Sequence, residues 1–282
     1  MRIAAAAAIL TPRSPPEDAS IVAHDLKITA PRRPTGSNLA VLDAEATWEA
    51  RIDLAACFRM AAALGLSEGV CNHFSAMVPG SDDLFLVNPY GRAFSEVTAS
   101  SLLVCDFHGN VVAGDGVPEA TAFHIHARLH ARLPRARVAF HTHMPRATAL
   151  CMVEGDPLVF AGQSALKFWG RVAVDPVYGG LALDEREGDR IAAAIGDADI
   201  VFMRSHGVMV VASTIAKAWD DLYFLERAAE VQILAESTGR RLVPVPAEVA
   251  AHTAAQMAIE DIDAHLVSVK RRLAVTDPDF AT

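Results

Sequence analysis

Ala139-Phe140-His141-Thr142-His143-Met144-Pro145 reads as the end of a buried strand whose tip turns polar before the proline starts a new element. The apolar residues Val138 to Phe140 suit a strand inside a core, and side chains on a strand alternate between its two faces. His141 and His143 therefore point the same way with their rings close together, and Thr142 points away. Two imidazoles so placed form a bidentate grip for a metal ion. A third lies in Ser205-His206-Gly207, a tight loop between Ile200 to Arg204 and Val208 to Ala212, which read as the strands of a hairpin. An isolated His-x-His pair is often half-exposed polar surface. Here apolar flanks on both segments put the rings at the edge of a core, where imidazoles without partners are disfavoured. His141, His143 and His206 are therefore expected to ligate a metal ion and leave one position open.

Working outward, strand-like runs cover Phe74 to Val78, Leu84 to Val87, Leu102 to Asp106 and Asn110 to Ala113, and one more runs from Arg137 to His143. Turn residues divide the first four: Pro79-Gly80, Pro89 with Gly91, and His108-Gly109. The spacing of Trp48, Ile52, Ala55, Ala56 and Met60 predicts a helix over 44–64 that Gly65 stops. Pro118 to Arg132 predicts another, with Phe123, His126, Ala127 and His130 on one face and Pro134 beyond its end. A short helical stretch follows from Pro145 to Val153. Asp184 with Glu187 resembles a capping box opening a helix closed by Gly196. Ser213 or Thr214 caps a long helix to about Thr238, with Ile215, Trp219, Leu222, Leu225 and Ile233 on its buried face. Strands interleaved with helices indicate an α/β sandwich. Residues 1–43 read as a Pro- and Arg-rich tail, 44–240 as the metal-binding domain, and 241–282 as a helical extension packing on it or on a neighbouring subunit.

The chain has 282 residues, is 52% hydrophobic and carries a net charge of −9, so it can bury a full core and lacks the basic surface that nucleic acids or anionic membranes require. No stretch approaches the roughly 18 apolar residues of a membrane span. The apolar run Ala4 to Leu10 is at the short limit for a signal-peptide core and is followed by no clear cleavage site. The cysteines Cys57, Cys71, Cys105 and Cys151 have no CxxC spacing, so buried reduced thiols and a cytoplasmic location are expected. Small molecules and other subunits are the expected partners.

Four blocks occur in order between about Ala44 and Arg240: Asn72-His73-Phe74-Ser75; Asn88-Pro89-Tyr90-Gly91; the helix with His126 leading through Pro134 to His141-Thr142-His143; and His206-Gly207-Val208 before the long helix containing Leu225-Glu226. In that order and spacing they resemble the class II aldolase/adducin family, which includes fuculose-phosphate-type aldolases, ribulose-phosphate epimerases, metal-dependent decarboxylases and a dehydratase. The resemblance implies a three-layer α-β-α sandwich with a mainly antiparallel central sheet. It also implies a divalent metal ion on His141, His143 and His206, and a homotetramer with the site near a subunit boundary. Zinc is the first expectation for the ion, although three imidazoles also suit Mn, Fe, Co or Ni.

The chain departs from that pattern in two places. Aldolases of the family usually carry a glutamate four residues before His126, and this chain has Ala122 there. Glu119 is the nearest carboxylate and is the candidate general acid/base, although an acidic residue there also complements a helix N-terminus. Phosphate-binding members carry hydroxyls where this chain has Ala120 and Thr121, and a Thr-rich turn where it has Asn88-Pro89-Tyr90-Gly91. A substrate without phosphate is expected, with His73, Asn88, Tyr90 and Gly91 as its contacts. Lys167, Arg171 and Tyr178 are expected at the surface, Trp219 and Tyr223 in packing, and Glu226 in a helix-pairing contact. The expected activity is carbon–carbon cleavage of a small hydroxy- or keto-acid through an enediolate. The alternatives are decarboxylation of a hydroxy-aromatic or keto-acid, and a non-catalytic adducin-like interaction module.

Overall fold

The computed structural model describes residues 39–181 and 184–282. The part of the expected N-terminal tail up to residue 38 lies outside the described residues. In chain order the elements are α1 (Glu45–Ala63), β1 (His73–Met77), β2 (Leu84–Val87), β3 (Leu103–Asp106), β4 (Val111–Ala113), α2 (Ala120–Arg132), β5 (Val138–Thr142), α3 (Pro145–Leu150), α4 (Gln163–Leu166), β6 (Val172–Asp175), α5 (Glu185–Ile195), β7 (Ile200–Met203), β8 (Gly207–Ala212), α6 (Ile215–Glu236), α7 (Ala247–Met257) and α8 (Asp263–Thr276). The eight strands form one sheet in the order β4-β3-β2-β1-β5-β8-β7-β6, antiparallel except between β6 and β7.

Period-two alternation gives this sheet two unlike faces. Phe74, Ala76, Leu84, Leu86, Phe140, Phe202, Val208 and Val210 face the larger core, which is completed by α1, α3, α6 and α8. The opposite face is covered by α2 and α5 and carries Ala139, Val201, Met209 and Val211 at its centre. Phe85, Val87 and Leu103 extend it toward the β4 edge. The result is the α-β-α sandwich with a mainly antiparallel sheet.

Local signals set most element ends. α1 ends where Gly65 takes φ 68°, allowing Leu66 N–H to reach Ala61 O and Gly65 N–H to reach Ala62 O. The Thr214 side chain accepts from Lys217 N–H and starts α6. Three expectations need correction. β5 stops at Thr142, so His143 lies just past the strand rather than within it. α2 starts at Ala120 because the Glu119 side chain accepts from Ala122 N–H and serves as its N-cap. Asp184 caps α5 through Arg186 N–H, while Glu187 turns to Arg190 rather than closing a capping box.

At the C-terminus, α8 packs on α1 and α6, and Phe280 is buried. The carbonyls of Phe280 and Thr282 accept from Ala99 and Ser100 N–H. All four cysteines are free, but Cys71 is exposed, unlike the other three. Among the described residues no helix is long and apolar enough to cross a membrane.

Candidate metal centre

The pairing of β5 with β1 sets His73 directly opposite His141, so both rings lie on the α2 and α5 side of the sheet. His206 arrives from the tip of the β7–β8 hairpin, where Ser205 takes φ 57°, a left-handed conformation uncommon for a residue with a side chain. The glycine after it is required by crowding. A Cβ on Gly207 would stand 2.7 Å from Thr142 O and 2.8 Å from the His143 ring. The hairpin tip can therefore lie close enough for one nitrogen of each of His141, His143 and His206 to fall within 4.8 Å of the others.

The far nitrogens define which atoms converge. His141 Nδ1–H donates to the Val208 carbonyl at 2.9 Å, and His143 Nδ1–H donates to the Glu68 carboxylate at 2.6 Å. Burial, then the neighbouring His206, His73 and His143, pushes His141 well below the ordinary histidine range. Burial, then His143, pushes His206 down to about 4. With both Nδ1 atoms turned outward to these acceptors, the Nε2 atoms of His141 and His143 face each other 3.1 Å apart. A divalent cation between them would take a lone pair from each ring. The donor set fits a divalent metal ion, with Val208 O and Glu68 as the outer partners that orient the ligand rings.

Beside the triad is a cavity of about 250 Å³ whose lining includes Thr121, His143, Tyr178, Glu187, Ser205 and His206. Glu187 and Tyr178 were not legible as site residues. Tyr178 was expected at the surface, and although half exposed it stands with its ring 6.3 Å from that of His206. Both carboxylate oxygens of Glu187 are held by Arg190, which also grips the buried Asp175. Lys167 and Arg171 are not solvated surface either. Lys167 is buried against Asp220 at 2.6 Å, and Arg171 pairs with Asp199 and the fully buried Asp221.

The expected substrate contacts separate into two groups. His73 is buried with Nε2 3.9 Å from Glu119 Oε2, an oxygen that also accepts from Thr121 O–H and Ala122 N–H. Asn88 is buried with its Oδ1 unpartnered, as is Asn72 Nδ2, while Asn88 Nδ2 donates to Asn72 O. Tyr90 and Gly91 are exposed, on a loop held by Tyr90 N–H to Val117 O, and none of His73, Asn88, Tyr90, Gly91 and Glu119 is among the cavity-lining residues. Glu226 accepts from the backbone N–H groups of Arg146 and Ala147 and so caps α3, directly after the histidine strand.

A family model described as the Class II Aldolase and Adducin N-terminal domain matches residues 52–233, more than half of the chain. The chain belongs to the class II aldolase and adducin family. A Caulobacter vibrioides protein whose name places it in aldolase class 2 is 37% identical over 209 residues, covering 73% of this chain and 80% of that one. The solved structure of an aldolase II superfamily protein from Pseudomonas syringae superposes with a TM-score of 0.79 at 32% identity, over 87% of this chain and 100% of that one. A Streptomyces roseochromogenus protein named 4-hydroxy-3-prenylphenylpyruvate oxygenase/4-hydroxy-3-prenylbenzoate synthase is 30% identical, over 72% of this chain and 73% of its own length. In this member of the class II aldolase and adducin family, position 122 is a buried alanine in the first turn of α2, so carboxylates near the site come from Glu119, Glu187 and Glu68.

Proposed function

We propose that the protein is a metal-dependent lyase that breaks a carbon–carbon bond of a small, unphosphorylated hydroxy- or keto-acid. The observation that carries this reading is the convergence of His141, His143 and His206, with the Nε2 atoms of His141 and His143 3.1 Å apart and each ring fixed from behind through Nδ1. A zinc or similar divalent ion held there with His206 supplies a Lewis acid for adjacent substrate oxygens and for the charge left by bond cleavage. The cavity of about 250 Å³ beside the triad suits a small-molecule substrate. No lysine or arginine is among its lining residues, and Arg190, which holds the lining Glu187, is also engaged by Asp175, which supports a substrate without phosphate. Glu119, 3.9 Å from His73 Nε2, is the candidate proton-carrying group.

Decarboxylation of an aromatic keto-acid is the second reading. The alanine at 122 removes a base that aldol cleavage needs more than decarboxylation does, and the name of the Streptomyces relative points to an arylpyruvate. Assembly into a homotetramer would cover the exposed Val231, Leu234 and Val243 on and after α6.

Metal analysis of protein purified without an affinity tag tests the site first. About one ion per chain is expected. Less than about 0.2, with no rise in Zn²⁺ or Mn²⁺, would sink the enzyme reading and favour an interaction module. A panel of unphosphorylated hydroxy-acids and aromatic keto-acids, followed for aldehyde and for CO₂, then separates aldol cleavage from decarboxylation.

A further inference from the structure

Beneath α2 the sheet carries a second, fully buried group of polar side chains. His73 and Ser75, two apart on β1, face His126 and His130, four apart on α2. Their protons can be assigned in only one way. The carbonyl of Ala136 only accepts, so His130 Nδ1, 2.6 Å away, must carry a hydrogen. Burial pushes His130 down to about 4 and keeps the ring neutral, so its Nε2 is bare and accepts from Ser75 O–H at 2.7 Å. The Ser75 oxygen, its proton so directed, accepts from His126 Nδ1–H at 2.5 Å. His126 Nε2 is then bare and accepts from His73 Nδ1–H at 2.9 Å.

The chain ends on a bare His73 Nε2. That atom has Glu119 Oε2 3.9 Å away, beyond hydrogen-bond distance, and the His73 ring packs against His141 with centroids 4.9 Å apart. Among the described residues nothing donates to it.

We propose that Ser75, His126 and His130 are positioning residues that lock His73 in its Nδ1–H tautomer, so that Nε2 beside Glu119 is the hydrogen-bond acceptor for a free hydroxyl of the substrate. This rests on the reading of the His141 side of the sheet as the substrate site, and it narrows the substrate to one with a hydroxyl donor there. A ketone or ether oxygen in that place would set lone pair against lone pair. Sites built to pair a hydroxyl discriminate strongly against analogues that lack it.

The test is the imidazole nitrogen spectrum of the full chain labelled with ¹⁵N in histidine. His73, His126 and His130 are all expected as Nδ1–H tautomers, in metal-free and Zn²⁺-loaded protein alike. Ser75→Ala cuts the chain in one place only: His130 should keep its tautomer, while His73 and His126 lose theirs, and Ser75→Thr should restore both. An Nε2–H tautomer at His73 in the native protein, or one unmoved by Ser75→Ala, would overturn the proposal. The native spectrum decides this even if the alanine variant does not fold. Glycolate, with a free hydroxyl, should shift the His73 Nε2 resonance, and methoxyacetate should not. Equal responses, or none, overturn the assignment of Nε2 as hydroxyl acceptor. Metal content and product release are measured separately, so the lyase reading can stand or fall on its own.

Discussion

The two faces of the sheet are made from the same strands and do different work. On one, Phe74 and Phe140 stack at 4.0 Å between ring centroids, with Phe58 and Phe94 around them. On the other, the residues next in sequence, His73 and His141, also lie opposite each other, and hydrogen bonds rather than ring packing set their positions. Apolar packing tolerates small shifts because dispersion has no preferred direction, whereas a bare nitrogen must point at a particular atom. The aromatic face supplies the rigidity that the histidine face needs to hold lone pairs where no proton satisfies them.

The largest effect should come from exchanging one residue for its neighbour. Phe140→Ala removes a fully buried ring and should cost about 3–5 kcal/mol in urea unfolding, while the folded fraction still binds about one Zn²⁺. His141→Ala should do the reverse, abolishing metal retention while costing about 1 kcal/mol through the lost bond to Val208 O. If His141→Ala retains full metal occupancy, the division between the faces is wrong.

Acid should also distinguish the faces. In metal-free protein, His130 is held at about 4 by burial, against an ordinary value of 6.5. Between those values the unfolded chain binds a proton that the native ring refuses, so stability rises with pH there and is lost as pH falls from 6.5 toward 4. That ring alone accounts for about 3 kcal/mol, and His126, depressed in the same direction, adds to it. His130→Gln should lower the pH slope of the urea midpoint by about one proton across that window. Parallel curves for the variant and the native chain would show that His130 is not a buried neutral ring.

The parts of this arrangement that could be read from the sequence are those set by short-range periodicity. Strand parity predicts His141 and His143 on one side, and although β5 ends at Thr142 the His143 ring still meets His141; the apolar runs around Ser205-His206-Gly207 marked a hairpin. The His126 and His130 pair was visible on one helix face, but its match to His73 and Ser75 depends on which strand lies beneath α2. Lys167 and Arg171 looked solvated because their partners, Asp220 and Asp221, lie far along the chain in α6. Glu187 had a ready local explanation as a capping residue, and only the packing of α5 beside the triad brings it to the cavity. Glu68 carried no signal, since a carboxylate in a loop after a helix is unremarkable until His143 is found against it.

Glu68 offers the smallest and sharpest test of the metal face. Its carboxylate is two-thirds exposed, so its pairing with His143 should contribute little to folding. The same contact fixes the His143 tautomer and makes Nε2 a better donor to a metal, and loss of such partners typically weakens metal binding about 10- to 100-fold. Asn72 Oδ1 reinforces the arrangement by accepting from Glu68 N–H at 2.7 Å and, more weakly, from His143 N–H at 3.4 Å. Glu68→Gln keeps an acceptor for Nδ1–H but removes the charge, so the lower end applies: about a 10-fold rise in Zn²⁺ Kd by chelator competition, with the urea midpoint unchanged. Unchanged affinity would mean that backbone contacts alone orient His143. A matching loss of stability would mean that the two faces are less separable than their side chains suggest.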